Sequence, residues 1–316
     1  MNRKNQPAAT KSPSPSGDQF HLRCGGQQAT VVEVGGGLRC YGIDGREFLD
    51  GYEISERCTG ARGLPLIPWP NRLRDGAYTF NGENHQVPLT EPDKHNAIHG
   101  FLRWRNWTCR HAEDDRVTMG TVLRPMMGYP FTLDISVDYH LDDSGLSVRT
   151  RATNIGEVTA PYGAGQHPYL RVGTDLIDPC AVQFDAATYI PTDERGLPTG
   201  TTEVAGSKFD FRSGRTIGQQ NVDLTFTDLR RDANGRAWVR LTAPDRTEVA
   251  VWVDESYPFV EIYTSHTQPA PHFRTGLGVE PMTCAPNAFR SGHGLIRLAP
   301  GETADTAWGV TGSLPD

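Results

Sequence analysis

Two neighbouring segments near the middle of the chain alternate strictly between apolar and polar residues. In residues 132–141 the odd-numbered positions, from Leu133 to Leu141, are apolar and the even-numbered ones are polar. Residues 142–145 have the turn-like sequence Asp-Asp-Ser-Gly, and residues 146–153 then alternate again. A period of two residues places one side of a strand in the core and the other in water. These segments therefore predict an antiparallel β-hairpin.

Other segments are also typical of strands, because they are rich in β-branched and aromatic residues and end at turn residues. They span residues 29–34, 238–241, 248–254 and 259–266. Residues 295–310 predict a final hairpin around a turn at 299–302. No repeat of fixed period and no change of composition divides the chain. The pattern predicts an all-β fold, one large antiparallel β-sandwich, with two stacked β domains as the alternative.

The composition supports a fold with many turns. The chain has 34 glycines and 23 prolines in 316 residues, and its longest stretch without either spans residues 101–119, which disfavours long helices. The formal net charge of −7 argues against nucleic acid as a partner, because phosphate binding needs a basic surface. No apolar run approaches the roughly 18 residues of a membrane-spanning helix, so no membrane partner is expected.

The amino-terminal segment and the cysteines bear on where the protein works. Residues 1–18 are polar and rich in Pro and Ser, which predicts a disordered tail ahead of a single domain at residues 19–316. They contain no apolar stretch of a secretory signal. The six cysteines include no C-x-x-C pair, so neither a zinc ribbon nor a thioredoxin-type site is indicated. Reduced, mostly buried thiols in a cytoplasmic protein are expected.

The first of four polar loops with chemical potential spans residues 68–76. Asn71 and Arg72 follow two prolines that stiffen the approach. The fixed fork of donors on Arg is suited to vicinal hydroxyls or to an anion. Arginines solvated at a surface turn are the alternative.

The second loop, residues 96–100, contains His99 beside a glycine and is followed by Trp104 and Trp107. A histidine next to glycine permits close approach of a ligand, and a tryptophan can stack on the face of a sugar. A hydrogen-bonded loop histidine with two core tryptophans is the alternative.

The third and fourth loops supply an acid–base pair. His167 lies between a glycine-rich segment and Pro168, and an ordinary imidazole gives or takes a proton at neutral pH. Glu280 lies between Val279 and Pro281, where partial burial would raise its pKa toward the range of a general base. A structural histidine and a solvent-facing carboxylate are the alternatives. Together the two groups would move protons at two oxygens of one substrate.

Other catalytic patterns are missing from the sequence. The 10 histidines form no H-x-H or H-E-x-x-H pattern, so no metal site is predicted. There is no G-x-S-x-G elbow and no Walker loop. The glycines at residues 35–37 are not followed by a helical pattern, which makes a dinucleotide loop a poor reading. No cofactor is therefore expected.

At these loops the sequence resembles the aldose 1-epimerase (galactose mutarotase) family, in the form of a bacterial subgroup with N-R-x-R-x-G and V-E-P-M-T motifs. The resemblance covers almost the whole chain after the tail, and the order and spacing of the motifs carry it. The matching segments are YGIDGREFLDGY, PWPNRLRDGAYTFNG, IHG with a following Trp, GAGQHPYL, VEPMTCAPNAF and LAPGETADTAWGV.

The resemblance implies a β-supersandwich and an isomerase that interconverts the α and β anomers of a free hexose without a cofactor. His167 matches the family's general acid and Glu280 its general base. The sugar-binding positions implied are Asn71, Arg72, His99, Tyr169 and Asp223. Glu280 would take the proton of the anomeric hydroxyl while His167 protonates the ring oxygen, so that the ring opens and recloses on the other face. Since His167 must be protonated while Glu280 is ionised, a bell-shaped pH profile is expected.

Two features depart from the galactose-specific pattern of the family. Leu170 stands where an aromatic residue commonly follows the H-P-Y motif. Four arginines lie near the expected mouth of the site: Arg72, Arg74, Arg103 and Arg105. They would suit an anionic sugar, a hexose 6-phosphate or a sulfonated hexose, through charge-assisted hydrogen bonds, unless the last three are solvated surface groups.

Two further functions stay open. A non-catalytic carbohydrate-binding β-sandwich would keep Trp69, Trp104 and Arg72 without needing both His167 and Glu280. A glycosidase would use Glu280 with a second carboxyl such as that of Glu261, roughly 5–10 Å away. In each case a small-molecule sugar is the expected partner, and the protein is expected to be a monomer or a homodimer.

Overall fold

The computed structural model of the protein describes residues 14–315 and consists almost entirely of strands. In chain order the strands are β1 Gln19–Cys24, β2 Gln27–Val32, β3 Leu38–Ile43, β4 Arg46–Glu47, β5 Pro65–Leu66, β6 Arg72–Arg74, β7 Ala77–Phe80, β8 Glu83–Gln86, β9 Asn96–Ile98, β10 Thr108–Ala112, β11 Arg116–Leu123, β12 Leu133–Asp142, β13 Gly145–Asn154, β14 Ala160–Tyr162, β15 Gly165–Gln166, β16 Tyr169–Leu170, β17 Ala181–Phe184, β18 Ala186–Ile190, β19 Thr202–Glu203, β20 Arg215–Thr216, β21 Asp223–Leu229, β22 Ala237–Thr242, β23 Glu248–Val253, β24 Phe259–Tyr263, β25 Leu277–Met282, β26 Ile296–Leu298 and β27 Thr303–Ser313. The helical pieces are short: 3₁₀ turns at Pro92–Lys94 and Leu102–Trp104, and α1 at Ala288–Ser291.

The hairpin predicted from the alternating pattern is present. β12 and β13 pair over their full length, from Leu133 opposite Asn154 to Asp142 opposite Gly145. Along β12, every odd-numbered residue is buried and every even-numbered residue is partly exposed. The period of two therefore reports one dry face and one wet face, as expected for the outer layer of a sandwich.

Two large antiparallel sheets share one hydrophobic core. The order of the larger is β10-β11-β12-β13-β27-β23-β22-β17-β20, and that of the smaller is β19-β18-β21-β24-β25-β15-β5, with β16 also paired to β25. Both sheets contribute side chains to the same apolar cluster, for example Ile135 from the larger and Ile262 from the smaller. The prediction of an all-β, antiparallel sandwich is confirmed.

The smaller sheet also has a second face, turned away from that core. Along β24, Val260 and Ile262 enter the shared core, so Glu261 and Tyr263 between and beyond them face the other way. The same alternation along β25 sends Val279 to the core and leaves Glu280 on the second face. This face of the smaller sheet positions the site described below.

The predicted final hairpin is wrong in its pairing. β26 and β27 exist, but β26 pairs with β14, placing Leu298 opposite Ala160. β27 pairs with β13 on one side and with β23 on the other. A strand has only two hydrogen-bonding edges, so β27 has none left for β26.

The predicted tail lies mostly outside the described residues, which begin at Ser14. Residues 14–18, which were expected to be disordered, instead form a turn that packs against the rest of the fold. The Ser14 hydroxyl donates to the Ile54 carbonyl over 2.9 Å, and Ser16 is buried.

Within residues 14–315, no helix is long and apolar enough to cross a membrane. The six cysteines lie in this range as free thiols, but only Cys180 and Cys284 are buried.

Candidate active site

A polar cleft of about 220 Å³ opens on the second face of the smaller sheet. Three adjacent strands form part of its floor, and their register brings acidic residues together. Asp223 of β21 lies opposite Tyr263 of β24, and Glu261 of β24 lies opposite Glu280 of β25. Loops at the ends of these strands supply the remaining walls.

All seven residues singled out from the sequence line this cleft, although they come from segments far apart in the chain. They are Asn71, Arg72, His99, His167, Tyr169, Asp223 and Glu280. The structure thus brings the predicted residues together, while their individual roles remain predictions. The cleft wall also includes residues that the sequence reasoning missed: Glu91, Tyr263, Thr267 and Gln268.

His167 and Glu280 form a buried pair on the wall of the cleft. His167 Nε2 lies 3.1 Å from Glu280 Oε1, and both side chains are almost completely buried. The strand around His167 is held by backbone bonds, with its amide donating to the Leu64 carbonyl and its carbonyl accepting from Gly63. Within the described part of the chain, His167 Nδ1 and Glu280 Oε2 have no hydrogen-bond partner.

Burial disfavours the charged form of each member of the pair. Burial, with the nearby charges of Arg62 and Arg103, lowers the pKa of His167 to about 3. Burial also raises the pKa of Glu280 well above its usual range, and the charges of Glu261 and Asp223 add to the increase. Both shifts favour the form of the pair in which Glu280 is protonated and His167 is neutral, the reverse of the form expected for catalysis.

His99 is locked in one tautomer by its neighbour in the N-R loop. The backbone amide of Asn71 donates to His99 Nδ1 over 3.0 Å, and the amide of His99 donates back to the Asn71 carbonyl over 3.0 Å. Burial lowers the pKa of His99 well below its usual value, so the ring is neutral. Because Nδ1 accepts, Nε2 carries the proton and is available as a donor.

This tautomer bears on metal binding. The ligand atoms of His99, His167 and Glu280 lie within 4.8 Å of one another, which is close enough for one ion. A histidine binds a metal through an unprotonated nitrogen, and the amide of Asn71 keeps Nδ1 of His99 as the acceptor and Nε2 protonated. The hydrogen bond therefore makes His99 a donor to a ligand oxygen rather than a metal ligand.

Arg72 is held by two acidic residues on the wall of the cleft. Its guanidinium makes a forked contact to Glu91, with Nε 2.9 Å from Oε2 and Nη2 3.1 Å from Oε1. Asp223 lies 3.7 Å from its Nη1. The donors that remain free on Arg72 and the oxygens of Asp223, which is about one-third exposed, are placed to bind hydroxyl groups. Apart from its charge, nothing in the sequence marked Glu91 as a residue of the site.

Tyr169 forms an aromatic wall beside the pair. Its ring stacks on the imidazole of His167 with centroids 4.6 Å apart and planes 9° apart. Its hydroxyl donates to the Gly60 carbonyl over 2.8 Å. The next residue, Leu170, is buried in the shared core, so the departure noted there in the sequence does not alter the cleft.

The tryptophans proposed to stack on a sugar are not among the residues of the cleft wall. Trp107 and Trp69 are buried, the latter against Phe101. Trp104 is 58% exposed and lies under the guanidinium of Arg103. The interpretation of Trp104 as a core residue is therefore also wrong.

Of the extra arginines, only Arg103 reaches the cleft, besides Arg72. Arg74 is half-exposed and faces Asp193, and Arg105 is exposed on the surface. Arg103 is buried, and its Nη2 donates to the Ile98 carbonyl over 2.9 Å. Within the described residues, its Nε has no hydrogen-bond partner.

Glu261 is not among the residues of the cleft wall, although it lies opposite Glu280 in the sheet. It is buried, it accepts a hydrogen bond from the Thr225 hydroxyl, and burial raises its pKa to about 8. A glycosidase needs both carboxyls at the scissile bond. The position of Glu261 disfavours that function.

Comparison with known proteins points to one family. Residues 18–307 match the profile of the aldose 1-epimerase family. The Escherichia coli (strain K12) protein YihR, described as uncharacterized, is 35% identical over 91% of this chain and 91% of its own. The aldose 1-epimerase of the same organism is 30% identical over 68% of this chain and 63% of its own. The solved structure of a GalM/aldose epimerase homologue from C. elegans superposes with a TM-score of 0.85 at 19% identity, covering 95% of this chain and 99% of that one. The predicted mutarotase-like fold is thereby confirmed.

Proposed function

This chain belongs to the aldose 1-epimerase family, and we propose on that basis that it is an isomerase interconverting the α and β anomers of a free sugar. The observation that carries the proposal is the buried contact of 3.1 Å between His167 Nε2 and Glu280 Oε1, in a cleft lined with groups that can bind hydroxyls. An acid and a base held in contact are what ring opening of a hemiacetal requires.

The proposed reaction uses the single proton of the pair. A sugar in the cleft receives hydrogen bonds from Arg72 and from Nε2 of His99, and Asp223 accepts from its hydroxyls. In the reactive form the proton lies on His167 and Glu280 is a carboxylate, a form that the charge of Arg72 favours by lowering the pKa of Glu280 against the effect of burial.

Glu280 takes the proton of the anomeric hydroxyl while His167 gives its proton to the ring oxygen. The bond between C1 and the ring oxygen breaks, and a carbonyl forms at C1. Rotation about C1–C2 presents the other face, and the same two protons return as the ring closes. The bonds that break and form lie within the sugar, and only protons pass between the sugar and the protein, so the proposed reaction consumes no cofactor.

The pH profile should show a broad plateau rather than a narrow bell. At low pH His167 takes up a second proton and the pair loses its base, and at high pH Glu280 loses the last proton and the pair loses its acid. Because burial lowers the pKa of His167 to about 3 and raises that of Glu280, the singly protonated pair persists through the neutral range. We expect kcat to be constant there in a polarimetric assay. A steep change of kcat around neutral pH would contradict this assignment.

A second candidate, an epimerase for an anionic sugar, is favoured by one observation. Arg72 is neutralised by Glu91 and Asp223, whereas Arg103 lines the cleft with a buried Nε that has no partner among residues 14–315. A buried donor without a partner is costly, and a phosphate or sulfonate would satisfy it by a charge-assisted hydrogen bond.

One assay tests the function and separates the candidates. We expect the protein to accelerate anomer exchange, measured by NMR saturation transfer, on a panel of glucose, galactose, glucose 6-phosphate and a sulfonated hexose. Preference for an anionic member that is lost in Arg103→Gln, but kept in the matched surface variant Arg105→Gln, would support the anionic candidate. Equal loss in both variants would count against it. Sugar binding without exchange on any member would instead favour a carbohydrate-binding module.

A further inference from the structure

Arg62 is a fully buried cation that the proposed reaction does not use. Its side chain is only 1% exposed. Asp50 lies 3.4 Å from its Nε, and its Nη1 donates to the Thr59 carbonyl over 3.0 Å. Within the described part of the chain its Nη2 has no hydrogen-bond partner. A buried charge with incomplete partners is costly, so its position calls for a physical reason.

The guanidinium of Arg62 lies against the aromatic wall of the cleft. Its Cζ is 4.7 Å from the centroid of the Tyr169 ring. The same ring stacks on His167 at 4.6 Å. One aromatic ring therefore contacts both the buried cation and the imidazole, and a cation over a tyrosine ring is an attractive contact.

The loop that carries Arg62 also fixes the ring. The Tyr169 hydroxyl donates to the carbonyl of Gly60, two residues before Arg62. Gly60 has a left-handed backbone with φ of +60°, and a Cβ there would lie 3.0 Å from Arg62 Nη1 and 3.1 Å from the Tyr169 hydroxyl. Only glycine allows this approach without displacement. The loop thus holds cation and ring as one unit.

We propose that Arg62 is a positioning residue that holds Tyr169 against His167 and sets a fixed positive charge near the imidazole. The inference rests on the proposed function, since it concerns the group proposed to protonate the ring oxygen. A nearby positive charge disfavours a second one on the imidazole. A proton that reaches His167 from Glu280 is therefore passed on readily to the sugar.

The groups that face His167 are two cations, a neutral imidazole, a tyrosine ring and the carboxyl group of its partner. They are Arg62, Arg103, His99, Tyr169 and Glu280. After burial, Arg62 is the strongest influence that lowers the pKa of His167. Asp50, the counter-ion of Arg62, contacts the guanidinium, the Thr275 hydroxyl and, at 3.8 Å, His272 Nδ1, rather than the imidazole of His167. Removal of Arg62 and Asp50 together is therefore expected to raise the pKa of His167.

The test is an NMR titration of His167 in protein labelled with carbon-13 at histidine, with the signal assigned by its loss in His167→Asn. The double variant Arg62→Met with Asp50→Asn removes both charges and leaves neither one buried alone. We expect the pKa of His167 to rise by about one to two pH units in the double variant. Arg62→Lys keeps the cation, and its titration should stay close to that of the wild type.

Two results would overturn the proposal. One is a double variant whose His167 titrates as in the wild type. The other is a wild-type His167 that becomes protonated near the ordinary pKa of about 6.5 for histidine. This second result needs no variant, so it tests the proposal even if the double variant does not fold. Anomer exchange by the wild type is measured separately. Absence of exchange on every sugar would remove the proposed function, while the titration reports on Arg62 alone.

Discussion

Replacing Glu280 with Gln is expected to lower the rate of anomer exchange by about 10²–10⁴-fold. The amide has the size and shape of the carboxyl group, so it still fits beside His167, but it cannot accept the proton of the anomeric hydroxyl. The pair then lacks its base at every pH. We expect kcat to fall while sugar binding by Arg72, His99 and Asp223 persists, so KM should change little.

The measurement is NMR saturation transfer between anomers of the best sugar of the panel, with wild type and variant compared by circular dichroism to confirm folding. Glu157→Gln is the matched control, because Glu157 is exposed and is not among the residues of the cleft wall. It should retain wild-type activity. A Glu280→Gln enzyme with unchanged kcat would refute the assignment of the base.

Replacing Trp308 with Ala is expected to lower the free energy of unfolding by about 3–5 kcal/mol. Trp308 is fully buried in β27, opposite Val148 of β13 and Val253 of β23. Truncation removes apolar contacts with the shared core and leaves a cavity between two layers that cannot collapse. Since the free energy of unfolding of a domain is only about 5–15 kcal/mol, this single substitution is expected to remove a large part of the stability of the protein.

Thermal and denaturant unfolding measure the loss, with Trp104→Ala as the control. Trp104 is 58% exposed, and surface substitutions usually change stability by no more than about 0.5 kcal/mol. Equal destabilisation by the two substitutions would contradict the assignment of Trp308 to the centre of the core. The indole of Trp308 has no hydrogen-bond partner within the described residues, so its contribution comes from packing.

Local sequence patterns predicted the positions of the strands better than they predicted which strands pair with each other. The alternation in residues 132–141 identifies β12, its inward face and, through the adjacent turn, its pairing with β13. No local signal reports that β27 pairs with β13 about 150 residues earlier, which is why the final hairpin was predicted wrongly. The existence of β26 was correct, and its pairing with β14 is likewise non-local.

The residues of the cleft divide in the same way, into those that local sequence patterns reveal and those that only the fold brings to the site. His99 and His167 were found because glycine or proline beside them marks a functional loop, and the resemblance to a family then singled out residues such as Asp223. Glu91 and Gln268 were missed because each lies in a loop without a distinctive pattern, and only the fold places them on the cleft wall. The charge state of His167 and Glu280 was also out of reach, since it depends on burial that a sequence does not state.

The position of β27 in the middle of the larger sheet also has a consequence for folding during synthesis on the ribosome. In the larger sheet, as described for residues 14–315, β27 is the strand that joins β10–β13 to the group formed by β17, β20, β22 and β23. It is synthesised about 150 residues after β13. Until it emerges, two partial sheets present unpaired edges, and such edges invite association with other chains. The many non-local pairings also make folding slow. We therefore expect nascent chains that lack residues 303–313 to be the species most in need of chaperones, although every residue of the proposed active site has by then been made.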